Sequence, residues 1–228
     1  FRRHDAFPND HPLYLGPLSF GAAPTVAARA RAADVVLALG TRLSEITTLG
    51  YTIPGPGATL IHADIAPDAL GQTFPARVAI AADAATVVAA LFAAAGDGAP
   101  DPARTEANSR DRAAFEQASA PPAAPTIPDL VDPALVVAEL QRRLPPEAIL
   151  TSDAGNFWGW FARHFRWRRP GTLLGPTSGA MGYAVPAAVA AALVTENRRP
   201  VVALAGDGGF LMTGNELAVA AQLGLNVT

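Results

Sequence analysis

One carboxylate stands in an unusually flexible frame. The stretch ALAGDGGFLMTGNE, Ala203 to Glu216, sets Gly206-Asp207-Gly208-Gly209 at the end of the apolar run VVALA. Without a Cβ, Gly208 and Gly209 let backbone N–H groups come close to a phosphate. A carboxylate beside a phosphate repels it unless a cation lies between, and Mg2+ takes oxygen ligands of both kinds. The residues therefore read as half of a Mg2+-bridged diphosphate site with Asp207 as a metal ligand. An ordinary strand-to-helix turn with Asp207 as its cap accounts for the same tripeptide. A second copy, Gly96-Asp97-Gly98, follows a helical pattern and runs into Ala99-Pro100-Asp101-Pro102, so it reads as a helix stop and linker.

The surrounding pattern says what positions Asp207. Ala33–Leu39, Thr59–Ile65, Val78–Ala82, Ala148–Ser152 and Pro200–Ala205 are short, nearly continuous apolar runs, as expected of parallel strands covered on both faces. Thr172–Leu174 is a shorter candidate. Helical patterns lie between them at Pro24–Ala32, Ala84–Ala95, Pro133–Leu144, Tyr183–Val194 and Thr213–Leu223, with Asp132 as an N-cap and Gly224 as a stop. Asn226-Val227-Thr228 reads as the start of another strand. The alternation predicts an α/β chain of two Rossmann-like domains with mainly parallel sheets. Prolines 121, 122, 125, 128 and 133, behind a polar helical stretch at Arg104–Gln117, mark a Pro-rich linker. The expected division is 1–98, linker 99–128 and 129–228. Carboxyl ends of strands in such sheets are where ligands bind, and Asp207 sits at one.

Composition narrows the chemistry. The 228 residues are 50% hydrophobic and 16% charged with a net charge of −3, which suits a globular core and offers no footprint for nucleic acid. All 17 basic residues are Arg and there is no Cys, so P-loop and Schiff-base lysines, thiolate metal sites and cysteine nucleophiles are excluded within this chain. No apolar run reaches membrane-spanning length and no secretory signal opens the chain, so the expected location is cytoplasmic. The four histidines, 4, 11, 62 and 164, lack metal-ligand spacing and read as structural or surface residues. Arg163, Arg166, Arg168 and Arg169 interleave with Phe165 and Trp167; in an acidic chain this reads as a solvated or subunit-contact surface.

Several stretches, in order, resemble the thiamine-diphosphate enzymes of the acetolactate synthase and benzoylformate decarboxylase superfamily. LAGDGGFLMTGNELAVAAQLGLNVT resembles their diphosphate-binding motif, AILTSDAGNFWGW the diphosphate-side strand and loop, and GPTSGAMGYAVPAAVAAAL the pyrimidine-facing turn and helix. FPNDHPLYLG, AADVVLALGTRLSE and LIHADIAPDALG resemble the central domain. The resemblance implies a cofactor site holding thiamine diphosphate and Mg2+. Asp207 would ligate the metal, and Gly206, Gly208 and Gly209 would line the diphosphate. Asn156 and Phe157 would lie on the diphosphate side. Gly179 and Met181 would face the aminopyrimidine, with the Met181 side chain supporting a bent cofactor and Met212 lining the same pocket. Plain core packing is the alternative for both methionines. The implied activity is formation or cleavage of the C–C bond next to a carbonyl, with a 2-oxo acid substrate, in a homodimer or homotetramer. Acetolactate synthase-like carboligation comes first and 2-oxo acid decarboxylation second. A non-catalytic scaffold or regulatory module is the reading from another class.

Two parts of the family pattern are missing. The Asn pair that would complete the Mg2+ site should fall just past Thr228, and the glutamate that activates the cofactor belongs to an N-terminal domain not in this sequence. The chain is therefore expected to be a piece of a larger polypeptide, inactive and weakly binding by itself. Gly16–Gly21 and Gly40-Thr41-Arg42 lie where acetolactate synthases hold FAD. Leu43-Ser44-Glu45 replaces the Phe-Asp-Asp of the FAD-binding members, so FAD is not favoured and Arg42 reads as a structural or interface residue.

Overall fold

The computed structural model describes residues 3–96 and 98–228; Asp97, at the centre of the second Gly-Asp-Gly, lies outside them. The chain forms two compact units, Ala22–Phe115, and Glu116–Thr228 together with the segment ending at Gly21.

The first unit opens with α1 (Pro24–Arg31), which has Pro at its first position and Arg29 and Arg31 in its last turn, where the helix dipole favours cations. Strands β1 (Val35–Leu39), β2 (Thr59–Asp64) and β3 (Val78–Ala81) pair in that order, all parallel, with Val35 opposite Thr59 and Ile61 opposite Val78. Only the central β2 is largely buried; β1 and β3 are edges and leave Val35, Leu37 and Val78 exposed, so the expected two-sided cover holds for the middle strand alone. At the C-terminal end of β1, Gly40 takes φ +58° and donates its N–H to Ala63 O. Beside it the buried His62 places Nε2 2.7 Å from Thr41 O. Arg42 is exposed. Asp83 caps α2 (Ala84–Ala94) by accepting from Ala85 N and Thr86 N. The polar stretch expected at Arg104–Gln117 is an 18-residue helix, α3 (Pro102–Ser119).

The second unit starts, after an irregular stretch, with α4 (Pro133–Arg143), whose N-cap Asp132 accepts from Ala134 N. Then follow β4 (Ile149–Ser152), α5 (Trp158–His164), β5 (Leu173–Leu174), α6 (Ala184–Val194), β6 (Val201–Leu204), α7 (Asp207–Thr213) and α8 (Leu217–Leu223). The sheet order is β5-β4-β6, all parallel, with Ile149 opposite Val201 and Leu150 opposite Leu173. The chain leaves β4 to one side for β5 and crosses back through α6 to the other side for β6, so the strand order reverses at β4. Every residue of β4 is buried. The all-apolar α6 packs Ala188, Ala191 and Ala192 against Ile149 and Val201. Small side chains let helix and sheet backbones approach closely. Past α8, Gly224 adopts φ +62° as the expected stop. Thr228 then exchanges backbone bonds with Val201 and Ala203, as the strand-like start at 226–228 anticipates.

Residues 3–21 belong to this second unit through specific bonds. Asp5 Oδ2 accepts from Thr172 N and from Leu173 N, at the start of β5. Asn9 N donates to Trp167 O while Asn9 Oδ1 accepts from Trp167 N. Phe165 and Trp167 turn inward beside Trp158 and Phe161, whereas Arg166 reaches Glu116 and Ser119 and Arg168 lies 3.7 Å from Asp10. From Phe165 to Arg168 the alternation is thus an extended segment with the aromatic rings on the inner side; Arg168 is exposed, whereas Arg166 is mostly covered by its partners Glu116 and Ser119.

His4 sits within this cluster, its ring edge-on to Trp158 and Trp167 at 5.4 and 5.6 Å. Burial pushes its pKa down from 6.5 to about 3. The folded state keeps His4 neutral where the unfolded chain binds a proton. Stability is therefore complete above the unfolded value of 6.5 and falls as the pH drops from there toward about 3. The slope reaches about 1.4 kcal/mol per pH unit. Urea unfolding at pH 7.5, 6 and 5 should show that decline, and His4→Phe, which keeps a ring without the proton, should remove His4's share of it.

Candidate functional site

Because β4, β5 and β6 are parallel, their C-terminal ends open on one edge, and three chain segments meet there. The first is the β4–α5 turn with Asn156 and Phe157. Asn156 is exposed, and the Phe157 ring closes over the neighbouring glycines: a Cβ on Gly155 would lie 2.6 Å from Phe157 Cε1, and one on Gly206 3.8 Å from it. The second is the loop after β5. Gly179 and Gly182 take φ +71° and +77°, values that L side chains rarely adopt, and between them the chain presents Met181, 47% exposed. Ala180 O accepts from Ala154 N, which ties this turn to the first. The third is the β6–α7 turn.

That third turn departs from the sequence expectation. The helix expected at Thr213–Leu223 begins six residues earlier: α7 starts at Asp207, a 3-10 turn follows at Gly214–Glu216, and α8 completes the stretch. Paired glycines argue against a helix by propensity. The glycines nonetheless lie inside α7, and what they answer to is packing: a Cβ on Gly209 would stand 1.9 Å from Asp153 Oδ2 and one on Gly208 2.9 Å from Met181 Cε. Gly206 is the N-cap and Asp207 the first helical residue. The Asp207 side chain is exposed, with no hydrogen bond or ion pair among the described residues. The first N–H groups of α7 have no partner within the helix, by its geometry.

Among the residues singled out, Phe157 lies beside Gly206, Met181 beside Gly208, and Met212 beside Gly182, whereas Asn156 borders a separate hollow with Gly159 and Trp160. The two methionines, the only two in the chain, are exposed rather than in the core. Met212, 59% exposed, is packed beside Gly182: a Cβ there would meet Met212 Cβ at 3.2 Å. Thr213 Oγ1 donates to Gly182 O at 3.0 Å and closes the contact between the second and third segments. A cavity of about 390 Å3 borders Gly206, Asp207 and Phe210 and reaches Val227 and Thr228.

Sequence reasoning passed over Asp153. It is 1% exposed, and its Oδ1 accepts from Tyr183 N and Ala184 N, both at 2.7 Å. It caps α6 from a different strand, since α6 has no side-chain cap of its own. The signal was an Asp directly after a fully apolar strand, but its partners lie some thirty residues further on, where no local pattern shows them.

A parallel sheet with a strand-order reversal and glycine turns at its carboxyl edge is the class of open α/β domain that binds its ligands at that edge. Residues 153–228 match the family model for the C-terminal thiamine pyrophosphate-binding domain of thiamine pyrophosphate enzymes, and residues 1–91 match the model for their central domain. The chain belongs to the thiamine pyrophosphate enzyme family. It is 36% identical to a sulfoacetaldehyde acetyltransferase of Rhodobacter capsulatus over 95% of this chain and 40% of that protein. It is 34% identical to the acetolactate synthase large subunit of Corynebacterium glutamicum over 97% of this chain and 35% of that protein. The chain thus spans well under half the length of the curated relatives it matches.

Proposed function

We propose that this chain supplies the diphosphate half of a thiamine-diphosphate site in an enzyme that forms or breaks the C–C bond beside a carbonyl. When bound, thiamine diphosphate supplies the carbanion stabilisation that such a bond change needs. The observation that carries the reading is the meeting of Asp207, the Gly206–Gly209 turn and Met181 at one sheet edge. A cradle where side chains are excluded fits a phosphate approached by backbone N–H groups. Among the described residues, no group of three or more His, Asp or Glu could hold a metal by itself. A cation at Asp207 therefore needs diphosphate oxygens and ligands from elsewhere, which suits Mg2+.

Each residue then has a task. Asp207 binds the Mg2+. Gly206, Gly208 and Gly209 keep the backbone open to the diphosphate. Asn156 and Phe157 bound that end, while Gly179 and Met181 support the aminopyrimidine and Met212 lines the same pocket. A 2-oxo acid is the donor, in line with the acetolactate synthase-like motifs, and the acetolactate synthase relative supports carboligation to acetolactate as the product class. The sulfoacetaldehyde acetyltransferase relative supports a second reading, in which sulfoacetaldehyde is the substrate and an acetyl group is transferred. Exposed apolar residues on α7 and α8, Leu211 at 84% among them, suit a contact with a second subunit.

The test uses the complete gene product. Titration calorimetry should show thiamine diphosphate binding only with Mg2+, and Asp207→Ala should weaken it by about a hundredfold or more. Assays with pyruvate and with sulfoacetaldehyde then separate the two substrate readings. No Mg2+-dependent binding by the wild type would sink the enzyme reading and favour a scaffold.

A further inference from the structure

We propose that Asp153 is a positioning residue: one buried carboxyl that sets the spacing between the turn carrying Met181 and the glycine turn carrying Asp207, and so how both ends of the cofactor are gripped. This rests on the function proposed above.

The carboxyl touches both turns. Oδ1 accepts from Tyr183 N and Ala184 N, which fixes the end of the Gly179–Gly182 turn where α6 begins. Among the described residues Oδ2 has no hydrogen-bond partner, although it is buried, and it lies against Gly209 so closely that a Cβ there would be 1.9 Å away. A Gly209 Cβ would also come within 3.4 Å of Gly182 N, so the two turns are in contact around this one side chain. The backbone of Asp153 is anchored as well: its N–H donates to Leu204 O at the end of β6. A buried acceptor without a donor is costly and rare. A longer or differently bonded side chain would satisfy it only by moving Gly209, and with it Asp207. The orphaned oxygen is thus the contact that holds the glycine turn at its distance from Met181.

Two substitutions perturb this spacing differently. Asp153→Ala removes both acceptors and leaves two N–H groups at the start of α6 unpaired. Asp153→Asn keeps an acceptor for Tyr183 and Ala184 but puts amide hydrogens against Gly209, displacing that turn alone. In the complete gene product, the Asn variant should bind thiamine diphosphate and Mg2+ about tenfold more weakly than the wild type. The Ala variant should lose at least as much. A purely structural role would lower the urea midpoint of the cofactor-free protein yet leave the near-ultraviolet circular dichroism of the saturated complex unchanged. Positioning predicts an altered spectrum at saturation in both variants. Should Asp153→Ala fail to fold, Asp153→Asn decides alone. A folded variant with wild-type affinity, within about threefold, and a wild-type spectrum would overturn this inference while leaving the proposed function intact. Failure of the wild type itself to bind the cofactor would overturn both.

Discussion

Gly209→Ala should disable the site while Gly208→Ala, one residue away, leaves the fold intact. The difference lies in what each new methyl meets. At Gly209 it meets Asp153 Oδ2 at 1.9 Å, far inside any non-bonded contact. Neither side can yield cheaply. Asp153 is held by two hydrogen bonds to the start of α6, and Gly209 is buried in the first turn of α7. Relief requires either breaking those bonds or moving the turn that carries Asp207. Forced overpacking of this kind costs about 1–3 kcal/mol and occasionally more. Thiamine-diphosphate affinity in the complete gene product should fall by about a hundredfold or more, because Asp207 and the neighbouring N–H groups move with the turn. At Gly208 the methyl meets only Met181 Cε at 2.9 Å, the free end of an exposed, flexible side chain. Replacing Gly by Ala inside a helix also gains about 0.5–1 kcal/mol. Urea unfolding of the two variants beside cofactor titrations checks both statements. Equal stability of Gly209→Ala and wild type, with unchanged affinity, would refute the packing argument.

Trp167→Ala should cost about 3–5 kcal/mol of stability, as expected for emptying a large aromatic site. Trp167 is 1% exposed, and its ring meets Phe165 at 4.8 Å, Trp158 at 5.5 Å and His4 at 5.6 Å. Its backbone also exchanges two hydrogen bonds with Asn9. The cavity would thus open where the segment 3–21 joins the second unit. Beyond a lower urea midpoint, faster proteolysis between residues 3 and 21 is expected, since that segment loses the ring on which His4 rests. Trp167→Phe, which refills part of the space, should recover most of the loss. A midpoint shift of less than about 1 kcal/mol for the Ala variant would mean that the cluster collapses around the gap.

Much of the architecture was legible because it rests on local chemistry. A parallel strand buried on the sheet reads as a short apolar run, and all six strands fall within a residue or two of such runs. Caps are equally local: Asp132 before Pro133, and Gly224 in the left-handed region, do what their residue types predict. The parts that were not legible are those where distant packing overrides local preference. Gly208-Gly209 reads as a helix breaker, yet α7 begins at Asp207, and position 209 takes glycine because Asp153, more than fifty residues earlier, leaves no room there for a Cβ. Trp158–His164 offers no clear amphipathic period and was not anticipated as a helix. It forms because Trp158, Phe161 and Ala162 are buried, the first two beside Phe165 and Trp167.

The same division holds for the site. The order of motifs along the chain sufficed to name the family and to choose Asp207, the glycines and the two methionines, since residue type and neighbours carry that information. Only the tertiary structure decided that both methionines face outward at one sheet edge, and that the segment 3–21 completes the second unit. It also revealed that a single buried carboxyl at Asp153 spans the two turns of the site. Contacts between residues thirty to a hundred and sixty positions apart depend on the parallel registers and the strand-order reversal at β4, which bring the loops to a common edge and leave no trace in any local pattern.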